Sequence, residues 1–226
     1  MNNLIVAALF LIGTHLGIAS SQLRTALVQR LGERLYLALY SLLALLAIGW
    51  LVSAWRQAPL IPLWTPGPAL THLPLVLMPL ALLLVVCGLS GPNPTAVGQR
   101  PDPDAQQPAT GILRVTRHPF MWGAGLWAAA HLLVNGDQAS VIFFGTFAVL
   151  ALLGTVLLDS KRTRNPPPGW GVFLQATSNV PLAAILQRRQ RFVPREIGLT
   201  RVAATLGLYV LLLWLHPWLF GVSPLP

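Results

Sequence analysis

The sequence predicts an all-α integral membrane protein, a bundle of about six transmembrane helices in a single domain over residues 1–226. Three observations predict this class. Hydrophobic residues make up 54% of the chain and charged residues only 9%, whereas an average soluble domain is about a quarter charged. Long apolar runs recur along the whole chain. The basic residues lie between alternate runs, as they do in multi-pass membrane proteins.

Six apolar runs are the predicted spans, since a helix needs about 20 residues, and at least about 17, to cross a bilayer. The fourth run is the shortest, but the Asn135-Gly136-Asp137 turn after it predicts a tight hairpin with the fifth run. Asp137 is expected to stabilise that turn, and Asp159 to end the fifth span. The runs cover residues 3–21, 35–55, 73–90, 119–134, 139–158 and 202–220.

The orientation follows from the basic residues. All 15 lysine and arginine residues except Arg56 lie in the first, third and fifth connections. Because basic connections stay in the cytoplasm, both chain ends are predicted to lie outside, across a bacterial inner membrane. Topology thus accounts for the net charge of +9, and no nucleic-acid partner is predicted. Three arginines follow the first run and none precedes it, which predicts an uncleaved helix.

Two of the connections that are predicted to lie inside differ from the others in composition. Residues 91–109 are rich in Pro, Asp and Gln, and are predicted to be a flexible loop. Residues 166–169 read Pro-Pro-Pro-Gly, and the residues from Trp170 to Phe192 mix aromatic, apolar and basic side chains. That pattern is typical of a helix lying in the inner interface. A short re-entrant segment has the same pattern, and the sequence does not choose between the two.

Two histidines inside the predicted spans are candidate ligands. His15 lies in Gly13-Thr14-His15-Leu16-Gly17, and His131 follows three alanines. A polar residue inside a membrane is costly and is a functional hypothesis by default. Imidazole is the usual axial ligand of haem iron, and two histidines from different helices could hold a haem within a bundle. The other interpretation is a packing face of small residues with an interhelical hydrogen bond.

A second candidate site is Arg114-Val115-Thr116-Arg117-His118-Pro119, at the predicted inner end of the fourth span. Arg117 and the free N–H groups of the first helical turn would favour an anion. The other interpretation is a basic stop at the membrane surface followed by a helix that starts at Pro119. The spans lack carboxylates, and no Cys-x-x-Cys or His-x-x-x-His pattern occurs. Metal sites with oxygen or thiolate ligands are therefore not predicted.

Ordered motifs along most of the chain resemble those of NnrU-type membrane proteins. The match runs from about residue 8 to residue 190. Its first part consists of Gly13-Thr14-His15-Leu16-Gly17, Leu23-Arg24, residues 31–36 and Tyr40-Ser41. Its second part consists of Thr116-Arg117-His118-Pro119, Gly123, Leu126-Trp127, Ala130-His131-Leu132-Leu133, Asn135-Gly136-Asp137 and Phe144-Gly145.

The resemblance implies a cofactor and two kinds of activity. The family is named from a link with nitrite and nitric oxide reduction. It is also similar to plant zeta-carotene isomerase, a haem b membrane enzyme that isomerises a cis double bond in a carotenoid precursor. By motif, the two histidines taken as haem ligands in that isomerase fall on His15 and His131.

The arginine-histidine-proline motif is also similar to one in isoprenylcysteine carboxyl methyltransferases. There it lies at the cytoplasmic end of a helix and helps to bind S-adenosylmethionine. It falls here on Arg117, His118 and Pro119. A further cofactor-binding stretch of those enzymes matches only loosely, around Trp170 and Phe173.

The predicted topology places the two histidines at different depths. At about 1.5 Å per residue, His15 would lie about 18 Å from the outer end of its span and His131 about 6 Å from the outer end of its own. Two ligands of one iron need nearly the same depth. His15 with His118 is therefore the competing pair.

The expected function is an isomerase-like activity on a polyene, or a redox-linked activity in nitrogen-oxide metabolism, with haem b as cofactor and a lipophilic or small-molecule substrate. The alternatives are an S-adenosylmethionine-dependent membrane methyltransferase and a non-catalytic membrane accessory protein. The sequence does not define the substrate or the oligomeric state.

Overall fold

The computed structural model describes residues 1–18, 22–96, 99, 101, 102, 104 and 109–225. These residues form nine α-helices and no strand beyond an isolated β-bridge between Pro62 and Asp137. The all-α class is thus confirmed. The helices are α1 (Asn2–Ile12, continued by a π-helical segment, Gly13–Ile18), α2 (Gln22–Leu31), α3 (Glu33–Arg56), α4 (Pro68–Ser90), α5 (Pro119–Asn135), α6 (Gln138–Arg164), α7 (Trp170–Ala176), α8 (Ala183–Leu186) and α9 (Leu199–Phe220). Short 3₁₀ turns form at Gly111–Arg114 and Pro194–Glu196.

Four helices, α3, α4, α6 and α9, are long and apolar enough to cross a membrane. A fifth candidate arises if α1 and α2, which meet at 75°, are counted as one bent span. Helix α5 matches the fourth predicted run and has 17 residues, the lower limit of about 17 for a span. The count of six spans and the outside position of both ends remain predictions. The predicted end of the first span at Ser21 lies outside the described residues, as do Arg100 and parts of the predicted loop 91–109.

The long helices alternate in direction. As a result α3, α5 and α9 begin at the end of the bundle where α4 and α6 finish. We call this end the basic end. Helix α1 packs on α3 and α6, and α5 packs between α4 and α6. A Cβ at Gly123 would lie 2.6 Å from the Ala81 carbonyl oxygen, and one at Gly88 would lie 2.8 Å from the Phe120 nitrogen. These two glycines therefore allow α4 and α5 to approach closely, as small residues do between membrane helices.

The predicted hairpin between the fourth and fifth runs is confirmed. Helix α5 ends at Asn135, Gly136 has a φ of 65°, and α6 begins at Gln138. The Asp137 carboxylate accepts a hydrogen bond of 2.9 Å from the Ser140 N–H. It therefore caps the first turn of α6, whose N–H groups lack helical partners. The expectation that Asp137 stabilises the turn is confirmed.

The segment after α6 does not form one continuous helix, so of the two interpretations left open for Trp170 to Phe192 the structure does not match a single interfacial helix. Helix α7 ends before Thr177, whose backbone is extended, and α8 follows only at Ala183. The physical reason is that its aromatic residues pack against protein. Trp170 and Phe173 are buried with Ala109 and Leu113 from the chain that leads into α5. The segment therefore covers the basic end of the α5–α6 hairpin.

Candidate functional site

His15 lies in the π-helical segment that continues α1. Its Nδ1 lies 3.1 Å from the Leu11 carbonyl oxygen, so a neutral ring donates from Nδ1. Its Nε2 then carries a lone pair, and no described residue donates to it. A histidine held through Nδ1 by a backbone carbonyl is the usual arrangement for metal ligation through Nε2. Single π-helical turns are also frequent at functional sites. His15 is thus oriented as a ligand would be.

The surroundings of His15 are polar on one side and open on the other. The Tyr40 ring lies 5.7 Å from the imidazole between centroids, and its buried hydroxyl has no hydrogen-bond partner among the described residues. Positions Gly13 and Gly17 have no described atom within 4 Å of where a Cβ would stand. An unpaired buried hydroxyl costs about 1–3 kcal/mol. The buried Tyr40 hydroxyl is therefore an unsatisfied polar group beside the imidazole of His15.

His131 has a more enclosed position near the other end of the bundle. Its Nδ1 lies 2.9 Å from the Trp127 carbonyl oxygen. The ring stacks on Phe144, with centroids 5.0 Å apart and an interplanar angle of 25°, and lies 5.3 Å from the Trp127 ring. Aromatic rings therefore occupy the space beside this imidazole, in contrast to the open glycine face at His15.

The structure does not bring His15 and His131 together. His15 lies at the level of Tyr40 in α3. His131 stacks on the helical turn of α6 whose Phe143 contacts Trp55 at 4.7 Å, towards the other end of α3. Tyr40 and Trp55 belong to the same helix, and their separation corresponds to about 22 Å along its axis. Both histidines could ligate one iron only if the helices were arranged differently.

Arg117 and His118 are brought together on one carboxylate, that of Asp159. Arg117 Nε donates to both Asp159 oxygens, at 3.1 and 2.9 Å, and His118 Nε2 lies 2.8 Å from Oδ1. The His118 ring is fully buried, and its Nδ1 has no partner among the described residues. The expectation that Asp159 ends the fifth span stays a prediction, and the structure adds a role for its carboxylate. Helix α6 continues to Arg164, and Asp159 joins it to the start of α5.

Beside this ion cluster lies a cavity of about 650 Å³, between Arg117 and the chain from Leu174 to Arg189. Arg117 Nη1 donates to the Thr177 carbonyl at 3.1 Å, and Arg189 Nη1 donates to the same oxygen at 2.8 Å. Arg189 also bonds to the Gln175 carbonyl. The anion expected at Arg117 is thus supplied in part by the chain itself, as Asp159, while one side of Arg117 still lines the cavity.

A second ion pair ties the chain before α5 to the chain before α9. Arg114 Nε and Nη2 donate to the two oxygens of Glu196, at 2.7 and 2.8 Å, and the Gly111 N–H donates to Glu196 at 2.7 Å. Hydrogen bonding to Arg114 lowers the pKa of Glu196 below its usual range and raises the pKa of Arg114. The arrangement is bidentate, which is the strong form of this contact.

Sequence reasoning missed three residues at these places, namely Asp159, Tyr40 and Arg189. Asp159 could have been found from the hairpin. Because α5 and α6 run antiparallel from the turn at Gly136, residues near 118 and near 159 must lie at the same end. Tyr40 and Arg189 carry no comparable pattern in the sequence. In the described part of the chain, no group of three or more His, Cys, Asp or Glu side chains could hold a metal ion.

Comparisons with known proteins identify relatives. A family model described as "NnrU protein" matches residues 3–224. The chloroplastic 15-cis-zeta-carotene isomerase of Zea mays is 33% identical over 87 residues, which cover 38% of this chain and 24% of that protein. The enzyme of that name from Arabidopsis thaliana is 31% identical over 122 residues, which cover 50% of this chain and 32% of that protein. The matches thus span about a quarter to a third of the curated relatives' length. No solved structure matches.

Proposed function

The chain belongs to the NnrU family, and on that premise we propose that it is a membrane protein that binds haem b through His15 and isomerises a double bond in a lipophilic polyene, such as a carotenoid. The observation that carries the cofactor part is the imidazole of His15, with Nδ1 fixed and Nε2 unpaired beside an open glycine face. The polyene part is supported by similarity to proteins named as carotenoid isomerases.

The residues beside His15 fit a haem in three respects. Nε2 is available as an axial ligand. The bare backbone at Gly13 and Gly17 leaves room for a flat ring, and the unpaired Tyr40 hydroxyl supplies a donor next to it. A bound haem would supply an iron that interacts electronically with a polyene. The chain itself would orient both partners and exclude water, because the surrounding helices are apolar.

The predicted pair of His15 and His131 fits less well, because His15 lies at the level of Tyr40 and His131 towards the level of Trp55. These two residues of α3 are about 22 Å apart along the helix axis. The competing pair of His15 and His118 meets another obstacle, since His118 Nε2 is engaged by Asp159. We therefore propose His15 as the protein ligand and keep His131 as the second candidate. A redox-linked role in nitrogen-oxide metabolism would use the same haem, whereas a non-catalytic accessory role would not require one.

The experiment is an absorption spectrum of the full-length protein purified after expression with ample haem. We expect a Soret band that His15→Ala abolishes. His72→Ala is the matched control, because His72 also bonds a backbone carbonyl through Nδ1 but lies exposed at the start of α4. If only His131→Ala loses the band, the residue that ligates the haem is His131 in α5 and not His15. A wild-type protein without a Soret band would overturn the cofactor proposal.

The methyltransferase alternative keeps one supporting observation, the cavity beside Arg117. Its charge is unfavourable, since S-adenosylmethionine carries a sulfonium cation and two arginines line this cavity. Titration of the purified protein with S-adenosylmethionine in a calorimeter tests it. Binding that is lost in Arg117→Gln would favour the alternative over the isomerase.

The topology we propose has six spans with the basic end in the cytoplasm. Cys87 is the only cysteine, so Cys87→Ser provides a background for site-specific labelling. We expect a membrane-impermeant maleimide to label Gln57→Cys on intact cells. It should label Arg191→Cys only after the cells are opened, because basic connections stay inside. Labelling of both positions from outside would exclude this topology.

A further inference from the structure

Positive side chains outnumber negative ones around the cavity between Arg117 and the chain from Leu174 to Arg189. Arg117 and Arg189 both donate to the Thr177 carbonyl, so their guanidinium groups converge on one oxygen. Asp159 pairs with Arg117. Arg189 pairs with no carboxylate in the part of the chain that the structure describes. Two guanidinium groups therefore converge beside one carboxylate, and the cavity wall has a net positive charge that favours an anion.

Most of the polar side chains in the cavity wall are already engaged within the fold. Thr177 Oγ1 donates to the Phe173 carbonyl, and Ser178 Oγ donates to the Val180 carbonyl. Asn179 donates to Thr155 and accepts from Trp122. Arg189 Nε and Nη2 both donate to Gln187 Oε1, at 2.9 and 2.7 Å, so these bonds hold its guanidinium group in place. Arg189 therefore offers a ligand its fixed positive charge and the second hydrogen of Nη2.

Arg117 presents a free edge at this place. Its Nε is held by Asp159 and its Nη1 by Thr177. Its Nη2 has no acceptor among the described residues. A fork of this kind, fixed by other bonds, is suited to the planar recognition of phosphate or carboxylate oxygens.

We propose that this cavity binds a phosphate group, held between Arg117 and Arg189. The volume of about 650 Å³ exceeds that of a phosphate alone, so the group would be part of a larger molecule. Val180 in the cavity wall and the nearby Leu186 are 59% and 80% exposed. Exposed apolar residues beside an anion site match a phospholipid, with its headgroup in the cavity and its chains outside. A soluble phosphate compound shares the headgroup chemistry and lacks those chains.

The site lies at the basic end and shares no residue with the place proposed for haem at His15. A negative result at either site would therefore not contradict the proposal for the other.

The experiment measures the affinity of the full-length protein, purified in a neutral detergent, for two probes by calorimetry. The probes are inorganic phosphate and dihexanoyl phosphatidic acid, with dihexanoylglycerol as the phosphate-free control. Arg189→Gln should weaken binding of a phosphate probe about tenfold or more, because it removes one of the two positive charges beside the phosphate. Arg189→Lys should be intermediate, since it keeps the charge but loses the fork that Gln187 holds in place.

Arg191→Gln is the matched control. It removes one exposed positive charge from the same segment but does not line the cavity, and it should change the affinity by less than about twofold. Equal affinities in Arg189→Gln and Arg191→Gln would overturn the proposal, as would a wild-type protein that binds neither probe at millimolar concentration. Tighter binding of the phosphatidic acid would identify a lipid source, and similar binding of both probes a soluble one. Binding of S-adenosylmethionine that phosphate does not displace would also overturn the proposal.

Discussion

At one end of the α5–α6 hairpin the helices are joined by a short turn, and at the other end they are joined by an aspartate bound to an arginine and a histidine. The Gly136 carbonyl in the turn accepts the N–H groups of Leu63 and Trp64, at 2.8 and 3.0 Å. At the basic end, Asp159 contacts Arg117 and His118 through side chains alone. The first end is held by backbone geometry and the second by buried charge.

The difference shows where a substitution costs most. The backbone N–H and C=O groups in a turn carry no net charge. Water can partly replace a hydrogen bond that they lose. A buried charge left without its partner keeps its full desolvation penalty, because the low dielectric of the interior offers no replacement. The basic end should therefore be the more sensitive end, although the turn has the more conspicuous sequence.

The largest expected effect is that of Asp159→Asn. The substitution leaves Arg117 without its carboxylate and weakens the contact with His118, both of which are largely buried. Removing one partner of a buried ion pair typically costs about 3–5 kcal/mol. We expect a loss of that order in the free energy of unfolding, measured by denaturation in detergent micelles.

Asp104→Asn is the control for Asp159→Asn, because Asp104 is exposed and the substitution is chemically identical. We expect it to be neutral within about 0.5 kcal/mol. If both variants unfold alike, the Asp159 cluster does not hold the hairpin and the contrast between its two ends disappears.

A smaller effect is expected for Gly136→Ala at the turn. Gly136 has a φ of 65°, and a Cβ there would stand 2.2 Å from the Trp64 carbonyl oxygen, so the chain must shift. A residue forced into such a conformation costs of the order of 1–3 kcal/mol. The control is Gly145→Ala, since Gly145 lies inside α6 with open space around it. It should be neutral or slightly stabilising, because alanine favours a helix. A Gly145→Ala variant as unstable as Gly136→Ala would refute the steric explanation.

The turn could be predicted from a local pattern. For the ion cluster, the hairpin predicts only that residues near 118 and near 159 lie at the same end, and it does not predict which side chains bond. Asn135-Gly136-Asp137 is a local pattern, in which glycine adopts the left-handed conformation and aspartate caps the next helix. The partners of Asp159 are about 40 residues away along the chain. Their contact depends on the register in which two helices pack, and no local pattern encodes that register.

The same reasoning separates the candidate ligands. The apolar runs predict most of the long helices within a few residues, because hydrophobicity is summed over a whole span. His15 and His131 stand out in the sequence because each is a polar residue in an apolar run. Whether they face one another depends on helix lengths and tilts, and the structure separates them by the length of much of α3. Tyr40 belongs to a motif that carries the family resemblance, but the motif does not show that the tyrosine lies beside His15, since a tyrosine in a membrane helix is ordinary.

The smallest expected effect is a dependence of stability on pH that arises at the basic end and not at the turn. Glu196 holds the chain before α5 through Arg114 and Gly111, and hydrogen bonding to Arg114 keeps the pKa of Glu196 below its usual range. A carboxyl whose pKa is lowered in the folded state stabilises the fold above the pKa it has in the unfolded chain. That contribution is lost as the pH falls through the pKa that Glu196 has in the folded state.

The wild-type protein should therefore lose more stability than Glu196→Gln when the pH is lowered from about 5 towards about 3. Thermal unfolding at a series of pH values measures the difference. Gly145→Ala is the reference, and its difference from the wild-type protein should not change with pH, because no described atom lies within 4 Å of the added Cβ. A parallel pH dependence in Glu196→Gln and the wild-type protein would mean that the Arg114 contact does not stabilise the basic end.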